Sequence, residues 1–324
     1  MTPLRIGVLG CADIALRRVL PAAAGLPGVE FTAVASRDPA KAEEAARRFG
    51  LRPVTGYAAL LERADIDAVY VPLPAALHAP WVRAALAAGR HVLAEKPLTT
   101  ERALTHELLA AARAAGLVLM ENVMFVHHPQ HTAVRRLVED GAIGQLRSFQ
   151  AEFAIPRPPA TDIRHDPALG GGALWDVGVY PVRAALHHLG PALDVVGCHL
   201  AVGPGDRVDT AGAALLRTPD GVTAQLSFGL DHGYRSRYQL CGSEGRLVVD
   251  RAFTPGAEHR PVLRLERRDA VEEIELPAHD QVAATLDAFA AAVREGRDMG
   301  GESAHQADLL AALRASARDR APRA

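Results

Sequence analysis

The residues up to Asn122 alternate short apolar runs with Ala-rich segments in which apolar side chains recur at helical spacing. The runs hold few polar residues, which is typical of parallel strands that helices cover on both faces. Strands are predicted at 6–9, 31–35, 68–73, 91–94 and 117–120, and helices at 14–24, 39–49, 57–63, 77–88 and 100–115. This alternation predicts a doubly wound, nucleotide-binding domain over residues 1–122.

A different pattern follows over residues 123–324. Strands are predicted at 145–155, 195–202, 208–216, 222–228, 235–241 and 246–249, and helices at 130–140, 173–189, 281–294 and 303–315, with a frayed tail from Ala317. Turn sequences such as Pro219-Asp220-Gly221 separate some of the strands. The predicted fold is therefore α/β: an N-terminal Rossmann domain with a parallel sheet, and a C-terminal α/β domain with a large, mostly antiparallel open sheet.

Composition limits the partners of the chain. The 324 residues carry 36 basic and 38 acidic side chains, so no nucleic acid or anionic membrane surface is expected as the main partner. Charged residues interrupt the longest apolar stretch, 108–126, and the first apolar run is too short for a secretory signal. Cys11, Cys198 and Cys241 lie far apart, which predicts neither a disulfide framework nor a zinc cluster. We expect a cytoplasmic protein.

Lysine and asparagine are rare in this chain. Lys41 and Lys96 are the two lysines, all other basic residues are arginines, and Asn122 is the single asparagine. A chain that uses arginine for ordinary positive charge draws attention to the lysines that it keeps.

The first predicted strand leads into a degenerate dinucleotide fingerprint. Gly10 makes the turn, and Ala12 and Ala15 stand where the second and third glycines usually lie. A strand-to-helix turn offers free N–H groups and a helix dipole to a pyrophosphate. The whole segment, Gly10, Cys11, Ala12, Asp13, Ile14 and Ala15, is predicted to bind the cofactor.

The end of the second predicted strand distinguishes the two nicotinamide cofactors. NAD sites usually place an acidic residue here, whereas NADP sites use a small polar residue and an arginine for the 2′-phosphate. Ser36 and Arg37 favour NADP. Asp38 is the alternative, an NAD-type acid displaced by one position, but its place before Pro39 is that of a helix cap.

A set of motifs resembles the Gfo/Idh/MocA oxidoreductases, the family of glucose–fructose oxidoreductase and inositol dehydrogenase. In chain order they are Pro72-Leu73-Pro74 with His78, Glu95-Lys96-Pro97, Glu121-Asn122, Arg164 with Gly170-Gly171-Gly172, and Asp176-Val177-Gly178-Val179-Tyr180. Within the family, segments 6–15, 34–40, 66–74, 91–100 and 170–183 are most similar to actinobacterial dTDP-sugar 3-ketoreductases, which make deoxysugars for antibiotics.

The resemblance implies NADPH-dependent reduction of C3 in dTDP-3,4-diketo-2,6-dideoxyglucose. It also implies a homo-oligomer, a dimer or tetramer, formed through the C-terminal sheet. The implied cofactor contacts are Leu73, His78, Glu95, Arg164 and Asp176, with Tyr57 near the adenine. Local roles stay open for some of them, since His78 could cap its helix and Arg164 could simply pair with Asp176.

The chemistry of ketone reduction points to Lys96 and Tyr180. Hydride delivery to a ketone creates an alkoxide, so the site needs a cation or a proton donor at that oxygen. A lysine supplies both, because a desolvated ammonium gives up its proton more readily, and Glu95 could orient Lys96. Tyr180 stands where many relatives carry histidine, and this departure from the family pattern matches the ketoreductase branch. Whether Tyr180 donates the proton or orients the sugar is left open.

Other polar residues are assigned to the two ends of the substrate. Arg18 is a candidate for the diphosphate, and Tyr234 and Thr254 for the nucleotide end, where an aromatic ring can stack on thymine. The histidine pattern of 127, 128 and 131 has no evident acidic partner, so no metal site is expected.

Two other functions remain as alternatives. One is an NAD(P)-dependent dehydrogenase of a free sugar, cyclitol or dihydrodiol. The other is a cofactor-binding regulator without catalysis, which Lys96 and Tyr180 disfavour because an inert sensor needs neither.

Overall fold

A parallel six-stranded sheet forms from the apolar runs of the first part of the chain. The computed structural model describes residues 2–319. The strands are β1 (Leu4–Leu9), β2 (Val29–Ser36), β3 (Arg52–Thr55), β4 (Ala68–Val71), β5 (His91–Glu95) and β6 (Leu119–Asn122), in the order β3-β2-β1-β4-β5-β6. This is the order of a dinucleotide-binding fold, in which ligands lie beyond the carboxyl ends of the strands. The predicted doubly wound sheet is confirmed.

Helices cover this sheet. They are a π-helical turn at Ala15–Val19 that continues as α1 (Leu20–Ala23), then α2 (Pro39–Phe49), α3 (Tyr57–Leu61), a 3-10 turn at Ala75–Leu77, α4 (His78–Ala87) and α5 (Arg102–Ala114). The start of α2 follows from its sequence: Asp38 accepts a hydrogen bond from the amide of Ala40 at 3.0 Å, and Pro39 occupies the first turn. Gly50 ends α2 in the left-handed conformation.

A second, eight-stranded sheet follows. Its strands are β7 (Leu146–Ala154), β8 (Asp194–Ala201), β9 (Ala211–Arg217), β10 (Thr223–Gly229), β11 (Arg235–Gly242), β12 (Gly245–Asp250), β13 (Val262–Arg267) and β14 (Ala270–Glu275), in the order β14-β13-β12-β11-β7-β10-β9-β8. Within the described residues, the β7–β10 pair is parallel and the other neighbouring pairs are antiparallel. The predicted mostly antiparallel sheet is thus confirmed.

Side chains alternate between the two faces of this second sheet. Along β7, Phe149 and Phe153 are buried, whereas Gln150 and Glu152 point to the other face and stay half-buried. The buried face packs against α7 (Val179–Leu189), which continues a π-helical turn at Leu174–Gly178. The same unit holds α6 (Pro129–Glu139) and 3-10 turns at Met124–His127, Ile163–His165 and Pro167–Leu169.

Two helices close the described chain, α8 (Gln281–Glu295) and α9 (Gly301–Asp319). The residues through Val123 and Gln281–Ala304 form one compact unit, and 124–280 with the chain from His305 form the second. The predicted single boundary at 122/123 puts α8 in the second domain. The structure instead places it with the first unit, because it packs against β2 and α1.

Helix α9 continues beyond Ala317, where a frayed tail was expected, and is helical as far as Asp319. The remainder of that predicted tail, 320–324, lies outside the described residues. Over residues 2–319, no helix is both long enough and apolar enough to cross a bilayer.

Candidate active site

The turn after β1 has a backbone conformation that favours glycine. Gly10 has a φ of +115°, and a Cβ placed there would lie 2.9 Å from Cδ2 of Leu73 and 3.7 Å from the Tyr57 hydroxyl. Ala15, at the third fingerprint position, is fully buried against the sheet. Gly10, Tyr57 and Leu73 therefore meet at the carboxyl end of β1, the edge of the sheet where this fold places a dinucleotide.

The rest of the fingerprint loop is more exposed. Ala12 and Ile14 are half-buried, and the carbonyl of Ala12 accepts a hydrogen bond from the amide of Ala15. Asp13 is exposed and pairs with Arg17 at 3.1 Å. Arg18, the candidate for the diphosphate, is half-buried on the π-helical turn.

Cys11 lies in the same loop beside α2. Its Sγ is 3.5 Å from the carbonyl oxygen of Lys41, and burial raises the pKa of the thiol above its ordinary value. Cys11 thus stays a protonated, small side chain at neutral pH.

The end of β2 presents an exposed cation beside a buried hydroxyl. Ser36 is 7% exposed, and its Oγ accepts a hydrogen bond from the amide of Asp38 at 3.1 Å. Arg37 is exposed, whereas the Asp38 carboxylate caps α2. The helix-cap interpretation of Asp38 is confirmed. The role of Arg37 at a 2′-phosphate stays a prediction.

The Glu95 carboxylate at the end of β5 is held by two buried donors. The Tyr70 hydroxyl and Nδ2 of Asn122 both donate to Oε1 of Glu95, each at 2.6 Å. Burial raises the pKa of Tyr70 far above its ordinary value, so the hydroxyl keeps its proton. Lys96 follows directly and is half-buried. Sequence reasoning did not single out Tyr70, because its pairing depends on a strand contact that no local motif encodes.

His78 is a brace between two loops. Its Nε2 lies 2.7 Å from the carbonyl oxygen of Leu73, its Nδ1 lies 2.9 Å from that of Pro97, and the side chain is 1% exposed. Burial lowers the pKa of His78. Backbone carbonyls thus lie against both ring nitrogens, and His78 lies between the loops that carry Leu73 and Lys96. Its contact with the cofactor stays a prediction.

In the second unit, aromatic rings surround Tyr180. Its ring centroid lies 4.6 Å from that of Phe153, 5.8 Å from that of Phe253 and 6.2 Å from that of Phe125. Tyr180 is half-buried in the first turn of α7. The packing fixes the plane of its ring.

Arg164 joins two carboxylates next to the helix that carries Tyr180. Its Nε donates to Asp176 at 2.6 Å, and its Nη1 lies 3.0 Å from both oxygens of Asp162. Burial alone would lower the pKa of Arg164, but the Asp176 and Asp162 carboxylates raise it above its ordinary value. Arg164 and Asp176 therefore pair with each other, the local role left open above.

The glycine run before this helix permits close approach of a neighbouring loop. Gly172 has a φ of +124°, and a Cβ there would lie 2.6 Å from Oδ1 of Asp209. The other carboxylate oxygen of Asp209 accepts from the amide of Leu174 at 2.7 Å, and burial raises the pKa of Asp209. Asp209 was missed from the sequence because the contact spans 35 positions.

The two residues proposed for the nucleotide end lie side by side. The Tyr234 hydroxyl is 3.1 Å from Oγ1 of Thr254, and Tyr234 is 50% exposed, so its ring is open to a stacking partner.

His131 of α6 and His128, which caps that helix, are buried. His128 and His131 are at most 1% exposed, and Nδ1 of His131 lies 2.7 Å from the Tyr238 hydroxyl. Burial and neighbouring histidines lower the pKa of His128 to about 4 and that of His131 well below its ordinary value. Within residues 2–319, no group of histidine, cysteine and acidic side chains is arranged to hold a metal ion.

Comparison with known families identifies the class of protein. Residues 4–123 match the oxidoreductase family with an NAD-binding Rossmann fold, and residues 131–248 match the GFO/IDH/MocA C-terminal domain. The chain belongs to the Gfo/Idh/MocA family of oxidoreductases, as the motifs predict.

Individual relatives indicate the branch of the family that the chain resembles. The chain is 53% identical to the dTDP-3,4-didehydro-2,6-dideoxy-alpha-D-glucose 3-reductase of Actinomadura kijaniata, over 98% of this chain and 96% of that protein. It is 56% identical to the enzyme of the same name from Streptomyces violaceoruber, over 97% of this chain and 95% of that protein. The predicted ketoreductase branch is confirmed.

A solved structure is similar over the same length. The crystal structure of a 3-ketoreductase from Actinomadura kijaniata with NADP and TDP-benzene has a TM-score of 0.95 and 53% identity, covering 97% of this chain and 98% of that one. Similar structures of that ketoreductase carry a tyrosine-to-phenylalanine or a lysine-to-alanine replacement.

Proposed function

We propose that this protein reduces the C3 ketone of dTDP-3,4-didehydro-2,6-dideoxy-α-D-glucose with NADPH. The observation that carries the proposal is the Glu95-Lys96 pair at the carboxyl end of β5, in a chain similar over its full length to 3-reductases of that sugar. The reaction belongs to antibiotic deoxysugar biosynthesis, and the enzyme class is that of NADP-dependent oxidoreductases acting on a CH–OH group.

NADPH binds along the carboxyl ends of the first sheet. The turn of Gly10 would hold the pyrophosphate through its backbone N–H groups, and the missing side chain lets Leu73 and Tyr57 approach this turn. Arg37 would pair with the 2′-phosphate, and Ser36 would be the small polar residue beside that phosphate. When bound, NADPH supplies the hydride for the C3 carbon.

Lys96 supplies the proton. The C3 oxygen gains negative charge during reduction, and the Nζ ammonium of Lys96 stabilises that charge and transfers one proton to the oxygen, giving the alcohol. Tyr70 and Asn122 fix the side chain of Glu95, while His78 holds the carbonyl of Pro97. Lys96 is thus flanked on both sides by anchored residues.

Tyr180 orients the sugar. Phe153 and Phe253 confine its ring, so the hydroxyl is presented in one direction. Structures of the related ketoreductase carry replacements at one lysine and one tyrosine, and those two residues are the same number of positions apart as Lys96 and Tyr180. This equal spacing supports a catalytic role for both.

Further residues hold the two ends of the substrate, and the second sheet forms the interface between subunits. Arg18 binds the diphosphate, and Tyr234 with Thr254 binds the thymidine end. The enzyme works in the cytoplasm as a homo-oligomer formed through the second sheet. A groove of about 700 Å³ on the face opposite α7, where Leu215 is 37% exposed, supports that interface.

The test is consumption of NADPH with enzymatically generated dTDP-3-keto sugar, compared with free sugars and cyclitols. Turnover of the dTDP-linked ketone alone is expected, together with a change in NADPH fluorescence when dTDP is added. Turnover of free sugars without any effect of dTDP would overturn the proposal in favour of a free-sugar dehydrogenase. Cofactor binding without turnover of any of these compounds would favour a regulator.

A further inference from the structure

Asn122 completes a buried polar network at the carboxyl ends of two neighbouring strands. The register of β5 and β6 places it opposite Glu95, and its Nδ2 donates to Oε1 of Glu95 at 2.6 Å. Tyr70 donates to the same oxygen from β4. The three side chains are between 0% and 9% exposed.

This network fixes which end of the Asn122 amide faces Glu95. A carboxylate only accepts hydrogen bonds, so the amino group of the amide must turn toward it. The amide oxygen, Oδ1, is then directed elsewhere, and it is buried with no hydrogen-bond partner within residues 2–319. Native proteins rarely leave such an acceptor unpaired, which indicates that a donor arrives with a ligand.

The position of Asn122 points to the class of donor. The carboxyl ends of these parallel strands are where a dinucleotide binds, and the turn of Gly10 and Leu73 at the same edge fits one. The nicotinamide end of NADP carries a carboxamide, whose amino group donates hydrogen bonds. We propose that Oδ1 of Asn122 accepts a hydrogen bond from this amino group, with Glu95 and Tyr70 as positioning residues. The inference rests on the proposed use of NADP.

Cofactor analogues test this contact by binding alone. The 3-acetylpyridine analogue of NADP replaces the carboxamide amino group with methyl, whereas the thionicotinamide analogue keeps it. Titration calorimetry without sugar substrate should show about tenfold weaker binding of the acetylpyridine analogue than of NADP, the usual effect of one hydrogen bond at a buried site. The thionicotinamide analogue should bind nearly as well as NADP.

Two variants test whether Asn122 causes this difference in affinity. Asn122→Leu, of similar size, should bind NADP and the acetylpyridine analogue about equally. Tyr70→Phe is the matched control: it removes a hydroxyl from the same network but leaves Glu95 to orient Asn122, so the tenfold preference should remain. Thermal melting checks that each variant is folded.

The outcomes separate this inference from the proposed function. Equal binding of NADP and the acetylpyridine analogue to the wild-type protein, which needs no variant, would overturn the inference alone. So would a tenfold preference that persists in folded Asn122→Leu. Failure of NADP itself to bind would overturn the proposed function and this inference with it.

Discussion

The two candidate proton donors are held in different ways. Lys96 follows a carboxylate that two buried hydrogen-bond donors fix, and a histidine fixes the carbonyl of the residue after it. Tyr180 is confined by aromatic rings. Hydrogen bonds are directional and fix individual atoms, whereas ring packing fixes a plane and tolerates a change at the ring's edge. Substitutions at Lys96 should therefore lower the rate of reduction more than substitutions at the ring edge of Tyr180.

The largest expected effect is that of Lys96→Arg. Arginine keeps the positive charge but does not release its proton, so the variant should lose about 10²–10⁴ in single-turnover rate, nearly as much as Lys96→Ala. Tyr180→Phe, which keeps the packed ring, should lose much less. A Lys96→Arg enzyme within a few-fold of wild type would transfer the proton-donor role to Tyr180. Unchanged NADPH affinity in each variant is the control.

Arg37→Ala should weaken the binding of NADPH and leave the binding of NADH nearly unchanged. Loss of a charge-assisted pair with the 2′-phosphate is worth about 1.5–3 kcal/mol, so the KM for NADPH should rise roughly 10- to 100-fold. The KM for NADH should change little, because NADH lacks that phosphate. Equal changes for the two cofactors would remove Arg37 from the phosphate site and favour an NAD enzyme.

The second unit should carry a pH dependence of stability. Burial holds the pKa of His131 well below 6.5 and that of His128 at about 4, so both are neutral when folded and take up protons on unfolding at lower pH. Between about pH 4 and 6.5 the unfolded state binds more protons than the folded state. The free energy of unfolding therefore decreases as the pH is lowered through that window. His128, with a pKa of about 4 when folded, should cost about 1.5 kcal/mol of stability between pH 6.5 and 5, and His131 should act in the same direction.

Urea unfolding of wild type and His131→Gln at pH 7.5 and 5 measures this effect. The variant lacks one titrating group and should show the smaller decrease on acidification. His199→Gln, at an exposed position of β8, is the matched control. An identical decrease in wild type and His131→Gln would contradict the assignment.

The smallest effect should come from Cys11→Ala. The chemistry needs no thiol, and burial keeps this one protonated, so hydride transfer and NADPH affinity should stay within about twofold of wild type. Loss of turnover in a variant that still binds NADPH would show a role for the sulfur.

Features that neighbouring residues determine could be predicted from the sequence. Asp38 followed by Pro39 predicts a helix starting at Pro39, and the structure has that start. Gly10 at a strand end predicts the turn that its positive φ produces. Strand β3 was missed because Arg52 and Pro53 interrupt any apolar run, and β13 and β14 were missed because charged residues dominate them.

Contacts between distant residues could not be predicted in this way. The brace of His78 depends on two loop carbonyls that meet only when the sheet has formed. His131 belongs to a helical pattern of histidines in the sequence, but its burial involves β11, which supplies Tyr238. Local propensity contains no information about either partner.

The return of α8 to the first unit has a consequence for synthesis of the protein. A growing chain emerges from its N-terminus, so β1 to β6 are available long before the helix that covers β2 and α1. Every strand of the second sheet is made in that interval. The nucleotide-binding unit thus reaches its full set of contacts only after the other sheet has been translated, and a chain cut between the two sheets would leave its apolar surface at β2 uncovered.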